Sequence, residues 1–217
     1  MHSEINCLGR SKLFQPLSTT EKEHIVSVSS HRNYYPKGSL IKQPYDNSDG
    51  LIVIDEGMIK IYQLDDKGKE SITGLLLPDD VYGQQYLFTS DVDSSTYLES
   101  IEDTWVCTIR RDDFQSLLKD NPDVSLALLN NFGELLIRYE KIEEMRSLMS
   151  SKERILAYLT DMSEQLNSNP FILPTKKKEI ANLLNLTPET FSRKLKELQT
   201  EGFIRIHNKN VTLLRST

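Results

Sequence analysis

The spacing of apolar and polar positions changes repeatedly along this chain, and each change marks an element. Residues 18 to 31 carry a helical pattern, in which Ser18 and Thr19 precede Glu21 and apolar residues follow at Ile25 and Val28. From about Tyr34 to Ile109 the period shortens. Apolar or β-branched runs (Leu51 to Ile54, Met58 to Tyr62, Ser71 to Leu77, Thr104 to Ile109) alternate with turn clusters such as Asp46-Asn47-Ser48-Asp49-Gly50, Asp65-Asp66-Lys67-Gly68 and Pro78-Asp79-Asp80. Short strands at that interval predict an antiparallel sandwich or roll. Gly57, Gly68 and Gly83 sit at its turns, where positive φ or close backbone approach calls for glycine. A phosphate loop would place its glycines between a strand and a helix at fixed spacing, and no segment has that order.

Helical spacing returns after Asn121-Pro122 and runs to about Met149. Leu128, Leu135, Ile142 and Met149 are spaced by seven, with Phe132 and Tyr139 interleaved four residues later. A seven-residue repeat sustained this long predicts a partner helix and a symmetric coiled coil; the alternative is a helix packed only on its own roll. Arg138, Glu140, Lys141, Glu143 and Glu144 would face solvent or flank the seam. Ser150 and Glu153 then form a capping box, so a new helix and a new domain start there. The predicted organisation is an N-terminal arm and β-roll over residues 1–120, a dimerisation helix over 121–149 and a separate C-terminal domain over 150–217, an α+β fold.

The last stretch carries the most specific pattern. Thr175 is placed to cap a short helix with Ile180, Ala181, Leu183 and Leu184 on its apolar face, and Asn185-Leu186-Thr187 makes a tight turn. A second helix follows, with Thr187 as N-cap, Pro188 at its first position, Phe191, Leu195 and Leu198 on the buried side, and Gly202 at its end. Two helices joined by so short a turn match a helix-turn-helix, whose second helix enters the major groove. Phe203 to Ile206 and Val211 to Leu214, joined through His207-Asn208-Lys209-Asn210, predict a wing hairpin, making the domain a winged helix-turn-helix. The outward face of the second helix carries Glu189, Ser192, Arg193 and Lys196. Arg193 can donate bidentately to guanine while Glu189 accepts from cytosine N4, and Ser192 can bond a neighbouring base. Basic or hydroxyl residues placed for phosphate contact are Arg154, Lys176, Lys177, Thr187, Thr190, Lys194 and Lys209.

Charge sharpens this division. The 217 residues carry a net charge of −6, which on its face opposes a polyanionic partner. From Ser151 onward, however, 11 Lys and Arg stand against 7 Asp and Glu, a net +4, while residues 1–150 carry 15 against 25, a net −10. Phosphate contacts therefore belong to the last third, and the acidic part suits sensing or protein contacts. At 38% apolar residues the chain can bury an ordinary core. No apolar run is long enough for a transmembrane helix and the opening residues lack a secretory pattern, so a cytoplasmic location is expected. No Ser-His-Asp or Cys-His arrangement and no His-rich metal constellation is signalled; His2, His24, His31 and His207 form no ligand cluster with the cysteines, so neither catalysis nor a metal is expected.

Glu56-Gly57-Met58-Ile59-Lys60, Lys67-Gly68-Lys69-Glu70, Pro78 to Gly83 and Pro188-Glu189-Thr190-Phe191-Ser192-Arg193 follow one another in an order that resembles the cyclic-AMP receptor protein and fumarate-nitrate reduction regulator (CRP/FNR) family. The resemblance spans nearly the whole chain. It implies a jelly roll like that of cyclic-nucleotide-binding domains, a homodimer on palindromic DNA, and RNA polymerase as a further partner. Glu189, Ser192 and Arg193 resemble the FNR-type reader of TTGAT-like half-sites; Pro188 departs from the usual residue there, which bears on the outermost base.

In the cyclic-AMP branch a Gly-Glu pair holds ribose and an Arg-Ser pair the phosphate, whereas the matching positions here read Gly83-Gln84 and Ser94-Ser95. The resemblance therefore implies no cyclic-nucleotide site, since the strongest charge-assisted contacts are missing. A four-iron cluster needs four thiolates and the chain has two cysteines. Cys107 aligns with the core-domain cluster ligand of the FNR branch, and Cys7 lies in the arm that bears that branch's other ligands. This suggests a residual redox pair able to form a reversible disulfide; a buried inert Cys107 is the alternative. The other readings of the sensor half are an unidentified small effector in the roll, or DNA binding without any effector.

Overall fold

The computed structural model describes residues 8–11, 13–46, 50–89 and 95–214, and the side chains of residues 138, 142, 143 and 145–147 are not described within it. The chain divides into two compact units, Met1–Ile137 and Arg138–Thr217. In the first, helix α1 (Thr19–Ser27) leads to strands β1 (Ser29–Tyr35), β2 (Leu40–Lys42), β3 (Gly50–Glu56), β4 (Ile59–Leu64), β5 (Glu70–Leu76) and β6 (Val81–Tyr82). A 3-10 turn (Gln84–Tyr86), β7 (Thr96–Ser100), β8 (Thr104–Arg110), α2 (Arg111–Asp120) and the long helix α3 (Pro122–Leu148) follow. The predicted runs become β3, β4, β5 and β8. The Ser18–Glu21 capping box forms at α1, but the helix stops at Ser27 rather than continuing to residue 31. Ser29 Oγ bonds the Val26 carbonyl at 3.0 Å and a His31 ring nitrogen stands 2.8 Å from it, so polar side chains there terminate the helix and the chain turns into β1.

The roll consists of two antiparallel sheets, ordered β1-β8-β3-β6 and β2-β7-β4-β5. Ile52, Ile54 and Val106 of one sheet share a core with Ile59, Leu76 and Leu98 of the other. The opposite face of the first sheet is covered as well: Leu51, Val53, Cys107 and Ile109 pack with Leu8, Leu13, Phe14 and Leu17 of the arm, Ile25 of α1, Phe114 and Leu117 of α2, and Val124 and Leu128 of α3. Burial on both faces explains why β3 reads as a continuous apolar run instead of alternating. Gly83, at φ +103, has the Gly50 carbonyl only 2.2 Å from where a Cβ would stand, so the turn after β6 admits glycine alone.

The arm is also held by charge. Arg10 Nη2 donates to Asp55 Oδ1 at 2.8 Å and to the Asp55 carbonyl at 3.1 Å, and Arg10 Nε donates to Asp79 at 2.8 Å. The Asp55 side chain is fully buried and has Arg32 Nε at 3.3 Å on its other oxygen.

Helix α3 corrects the predicted seam. Leu128 is 3% exposed inside the roll's own core and Phe132 packs against that core, so these two positions face the first unit rather than a partner. Leu135 is half-buried, Tyr139 is exposed, Met149 lies one residue past the helix end, and the Ile142 side chain is outside the described set. The exposed apolar residues are instead Leu126, Leu129, Leu136, Ile137 and Tyr139, with Leu129 at 66% and Leu136 at 64%. Leu129 and Leu136 are also seven apart, but the next position in that register is Glu143, so the exposed apolar pair spans a single heptad.

Candidate nucleic-acid interface

The second unit contains α4 (Ser151–Gln165), β9 (Phe171–Ile172), α5 (Lys177–Leu183), α6 (Pro188–Thr200), β10 (Ile204–His207) and β11 (Asn210–Leu213). Its start follows the sequence: Ser150 caps α4, and Ser150 and Glu153 exchange both bonds of the capping box. Ile155, Leu159, Ile180, Phe191, Leu195, Leu198 and Val211 are buried at no more than 3% exposure and hold the helices on the small sheet. That sheet has the order β10-β11-β9, so the wing hairpin carries a third strand, Phe171–Ile172, too short for alternation to reveal.

At α5 the N-cap is Lys176, not Thr175. Thr175 is buried and its hydroxyl bonds the Glu179 carboxylate, which anchors the helix start without occupying the cap. The turn between the helices uses Asn185 at φ +54, a conformation asparagine tolerates better than most residues. Thr187 is the N-cap of α6 and accepts from the Thr190 N–H at 3.2 Å; Pro188 opens the helix. Gly202 follows its end at φ +76.

One face of α6 is therefore fixed in the core, and the other carries Glu189, Ser192, Arg193 and Lys196, all exposed. The Glu189 carboxyl titrates below the usual carboxylate range because its own backbone N–H and then the Thr187 hydroxyl bond it, so it is an ionised acceptor at neutral pH. Lys194 is half-buried and bonds Glu197 at 2.7 Å, so its charge already has a partner. Lys176, Lys177 and Lys209 are exposed, as are Lys178 and Arg205, which the sequence reading did not single out. Exposure was the missing signal; composition alone does not separate Arg205 of the wing from any other surface charge.

Arg154 has a different role from the one predicted. Its Nη1 donates to the Leu184 carbonyl at 2.9 Å, at the C-cap of α5, and thereby satisfies a helix-end acceptor inside the unit. Thr187 and Thr190 share a hydrogen bond at 3.1 Å between their hydroxyls and serve the cap. In the first unit Cys107 is fully buried in the core that includes Leu8, while Cys7 lies outside the described residues. Gln84 is buried, and its amide nitrogen donates to the Val81 carbonyl at 3.0 Å and to Asn131 of α3 at 3.3 Å. Among the described residues no helix is long and apolar enough to cross a membrane.

Known proteins place this geometry. The cyclic nucleotide-binding domain family matches residues 32–121, and the Crp-like helix-turn-helix domain family matches residues 153–216. The protein of Lacticaseibacillus casei named "Probable transcriptional regulator flp" is 30% identical over 211 residues, covering 97% of this chain and 95% of its own. The transcriptional activator protein anr of Pseudomonas aeruginosa is 26% identical, covering 93% and 84%. In fold, the chain is similar to FixK2 of Bradyrhizobium japonicum, with a TM-score of 0.76 at 24% identity over 87% of this chain and 93% of that one. The first two of these are named as transcription regulators and not as enzymes. With a roll of the cyclic-nucleotide-binding type followed by a DNA-binding winged helix-turn-helix, the chain belongs to the CRP/FNR family of transcription regulators.

Proposed function

We propose that the chain acts as a homodimer on a palindromic, TTGAT-like operator, with residues 1–120 sensing, 121–149 dimerising and 150–217 binding DNA. Two copies of α6 would enter successive major grooves about 34 Å apart. The observation that carries this reading is the exposed face of α6, where the ionised Glu189, Ser192 and Arg193 stand together on a helix whose opposite side is locked in the core. Arg193 donates to guanine, Glu189 accepts from the paired cytosine, and Ser192 bonds an adjacent base. Lys176, Lys177 and Lys209 reach phosphates, so affinity falls steeply with salt. The exposed Leu129, Leu136, Ile137 and Tyr139 on α3 supply an apolar surface for the second copy, and RNA polymerase is a further partner.

Cys7 and Cys107 modulate this binding. An oxidant such as a peroxide takes two electrons from the two thiols, which lose two protons and join as a disulfide; reduction reverses the step. Burial of Leu8, the neighbour of Cys7, in the same core as Cys107 supports this pairing. The residues do not fit a four-iron cluster, with two cysteines in the chain for four thiolate positions. They do not fit a cyclic nucleotide either, because the neutral amide of Gln84 stands where the charge-assisted contact needs an acceptor carboxylate. The test is DNA affinity of reduced and oxidised protein, compared with Cys7→Ser and Cys107→Ser. Oxidation should change the affinity of the natural chain and of neither variant; equal affinity in all states removes the thiols from the account.

A second reading is favoured by Lys42, which is 2% exposed in the roll. Its ammonium has the Asp46 carbonyl at 3.4 Å and the Tyr86 ring centroid at 5.8 Å, and it makes no ion pair among the described residues. A small anionic effector would supply the opposite charge that a buried cation requires. Thermal shift against small carboxylates and phosphates tests it: stabilisation of the natural chain but not of Lys42→Met supports an effector.

A further inference from the structure

The arm that precedes α1 covers one face of the first sheet without being stitched into it. Its backbone bonds stay within the arm: the Ser11 N–H donates to the Leu8 carbonyl, the Phe14 and Gln15 N–H groups to the Ser11 carbonyl, and the Leu17 N–H to the Phe14 carbonyl. Among the described residues no backbone bond joins the arm to a strand of the roll. Helix α1 closes its own start through the Ser18–Glu21 capping box and does not rely on the arm for it. What fastens the arm to the sheet is therefore side chains, with Leu8, Leu13, Phe14 and Leu17 packed in the core beside Cys107 and Arg10 donating to Asp55 and Asp79.

Two neighbouring residues of the arm act in opposite senses. Asp55 Oδ2 stands 3.3 Å from Arg32 Nε, yet neither atom makes a hydrogen bond among the described residues, so the side-chain hydrogen bonds of this buried carboxylate come from Arg10. Arg10 thus favours the closed arm. Ser11, next to it, is 0% exposed and its hydroxyl has no hydrogen-bond partner among the described residues. A hydroxyl buried without a partner disfavours the state that buries it, because lifting the arm returns it to water. We propose that the arm is a strap, latched by Arg10 on Asp55 and Asp79 and opposed by Ser11, that lifts from β3 and β8 while the roll stays folded. The core beneath it holds Cys107 and also Val124 and Leu128 of α3, so lifting uncovers the thiol and loosens the seat of the long helix. This deepens the thiol reading above, since it names what admits an oxidant to Cys107.

Cys107 itself reports the opening. In the full chain carrying Cys7→Ser it is the one remaining thiol. The rate of its alkylation by a maleimide is measured in urea concentrations below the unfolding transition, for this parent and for the parent with Arg10→Gln or Ser11→Ala. Lifting a strap exposes little surface, so the rate should change only weakly with urea. Arg10→Gln should speed alkylation about tenfold, the worth of one charge-assisted bond from a partly exposed cation. Ser11→Ala should slow it about fivefold by removing the unbonded hydroxyl. Added potassium chloride should speed the parent and leave Arg10→Gln unchanged, because it screens the ion pairs that only the parent has. A rate that climbs with urea as steeply as global unfolding in all three chains means that the arm leaves only with the whole roll, and overturns the strap. Equal rates in the parent and Arg10→Gln overturn the latch, and a Ser11→Ala chain no slower than the parent overturns the opposing role of Ser11. Cys7 is absent throughout, so failure here leaves the oxidation reading to its own test on Cys7 and Cys107.

Discussion

The two units treat polar side chains in opposite ways. In the roll, Ser11, Lys42, Asp55, Lys60, Gln84, Ser100 and Thr104 are buried; in the second unit, among the described residues, only Thr175 is. The buried groups of the roll are mostly partnered: Asp55 lies between Arg10 and Arg32, and Lys60 has Glu70 at 2.7 Å and Glu99 at 3.2 Å with the Tyr62 ring beneath it. The second unit has an apolar interior and turns its charges outward, Arg193, Lys196, Arg205 and Lys209 among them. Buried, interlocked polar groups make an arrangement that a change of charge or oxidation state can bias. Outward charges on an apolar frame make a surface suited to a polyanion.

If that contrast is right, the second unit depends most on its apolar interior. Phe191→Ala should destabilise it by about 3–5 kcal/mol, the usual cost of an aromatic side chain removed from a core, seen as loss of cooperative helix unfolding in urea. The roll should be sensitive to charge instead. Asp55→Ala leaves Arg10 and Arg32 without their common carboxylate and should cost about 2–3 kcal/mol. The cost falls below that of breaking a fully buried pair because both guanidinium groups are more than a third exposed and can rehydrate. Trp105, the only tryptophan, stacks beneath Arg32 and reports this transition by its fluorescence. An Asp55→Ala roll as stable as the natural one would erase the contrast.

Smaller effects sharpen it. Thr187→Ala removes the cap of α6 and should cost about 1 kcal/mol in thermal unfolding while leaving the core unchanged. The smallest effect is acid sensitivity at helix starts. Glu153 titrates below its ordinary 4.5 because the Ser150 hydroxyl and then the Ser150 backbone bond its ionised form, and Glu189 is lowered for the reasons given above. A depressed folded value means that the stabilisation is complete above about pH 4.5 and is lost as pH falls through the lower folded value. Far-ultraviolet circular dichroism should show fraying only in that acid window, and Glu153→Gln should shift the onset of fraying.

Much of the second unit was legible because its signals are local. The Ser150–Glu153 box, the Thr187-Pro188 start, the Asn185 turn and the wing each lie within a few residues of their own partners. What escaped depends on distant residues. Arg10 and Asp55 are 45 positions apart, and nothing near either announces the pair. On α3, Leu128 heads the longer apolar repeat yet is buried in the first unit while Leu129 beside it is exposed, and only the roll decides which of the two it covers. Arg154 looked like a surface cation because its acceptor, the Leu184 carbonyl, is 30 residues away. Periodicity thus identified elements and their capped ends, whereas burial by a partner element assigned the faces.

The central claim is that the outward face of α6 reads base identity rather than only holding phosphates. The most direct measurement compares the natural chain with Arg193→Ala on a TTGAT-type palindrome and on its G·C-inverted counterpart, at one salt concentration. The natural chain should lose about 1–3 kcal/mol of affinity per inverted half-site, and Arg193→Ala should keep only the smaller part of that preference, which Glu189 supplies through the paired cytosine. Equal binding of both duplexes by the natural chain, or a preference undiminished in Arg193→Ala, would contradict the account.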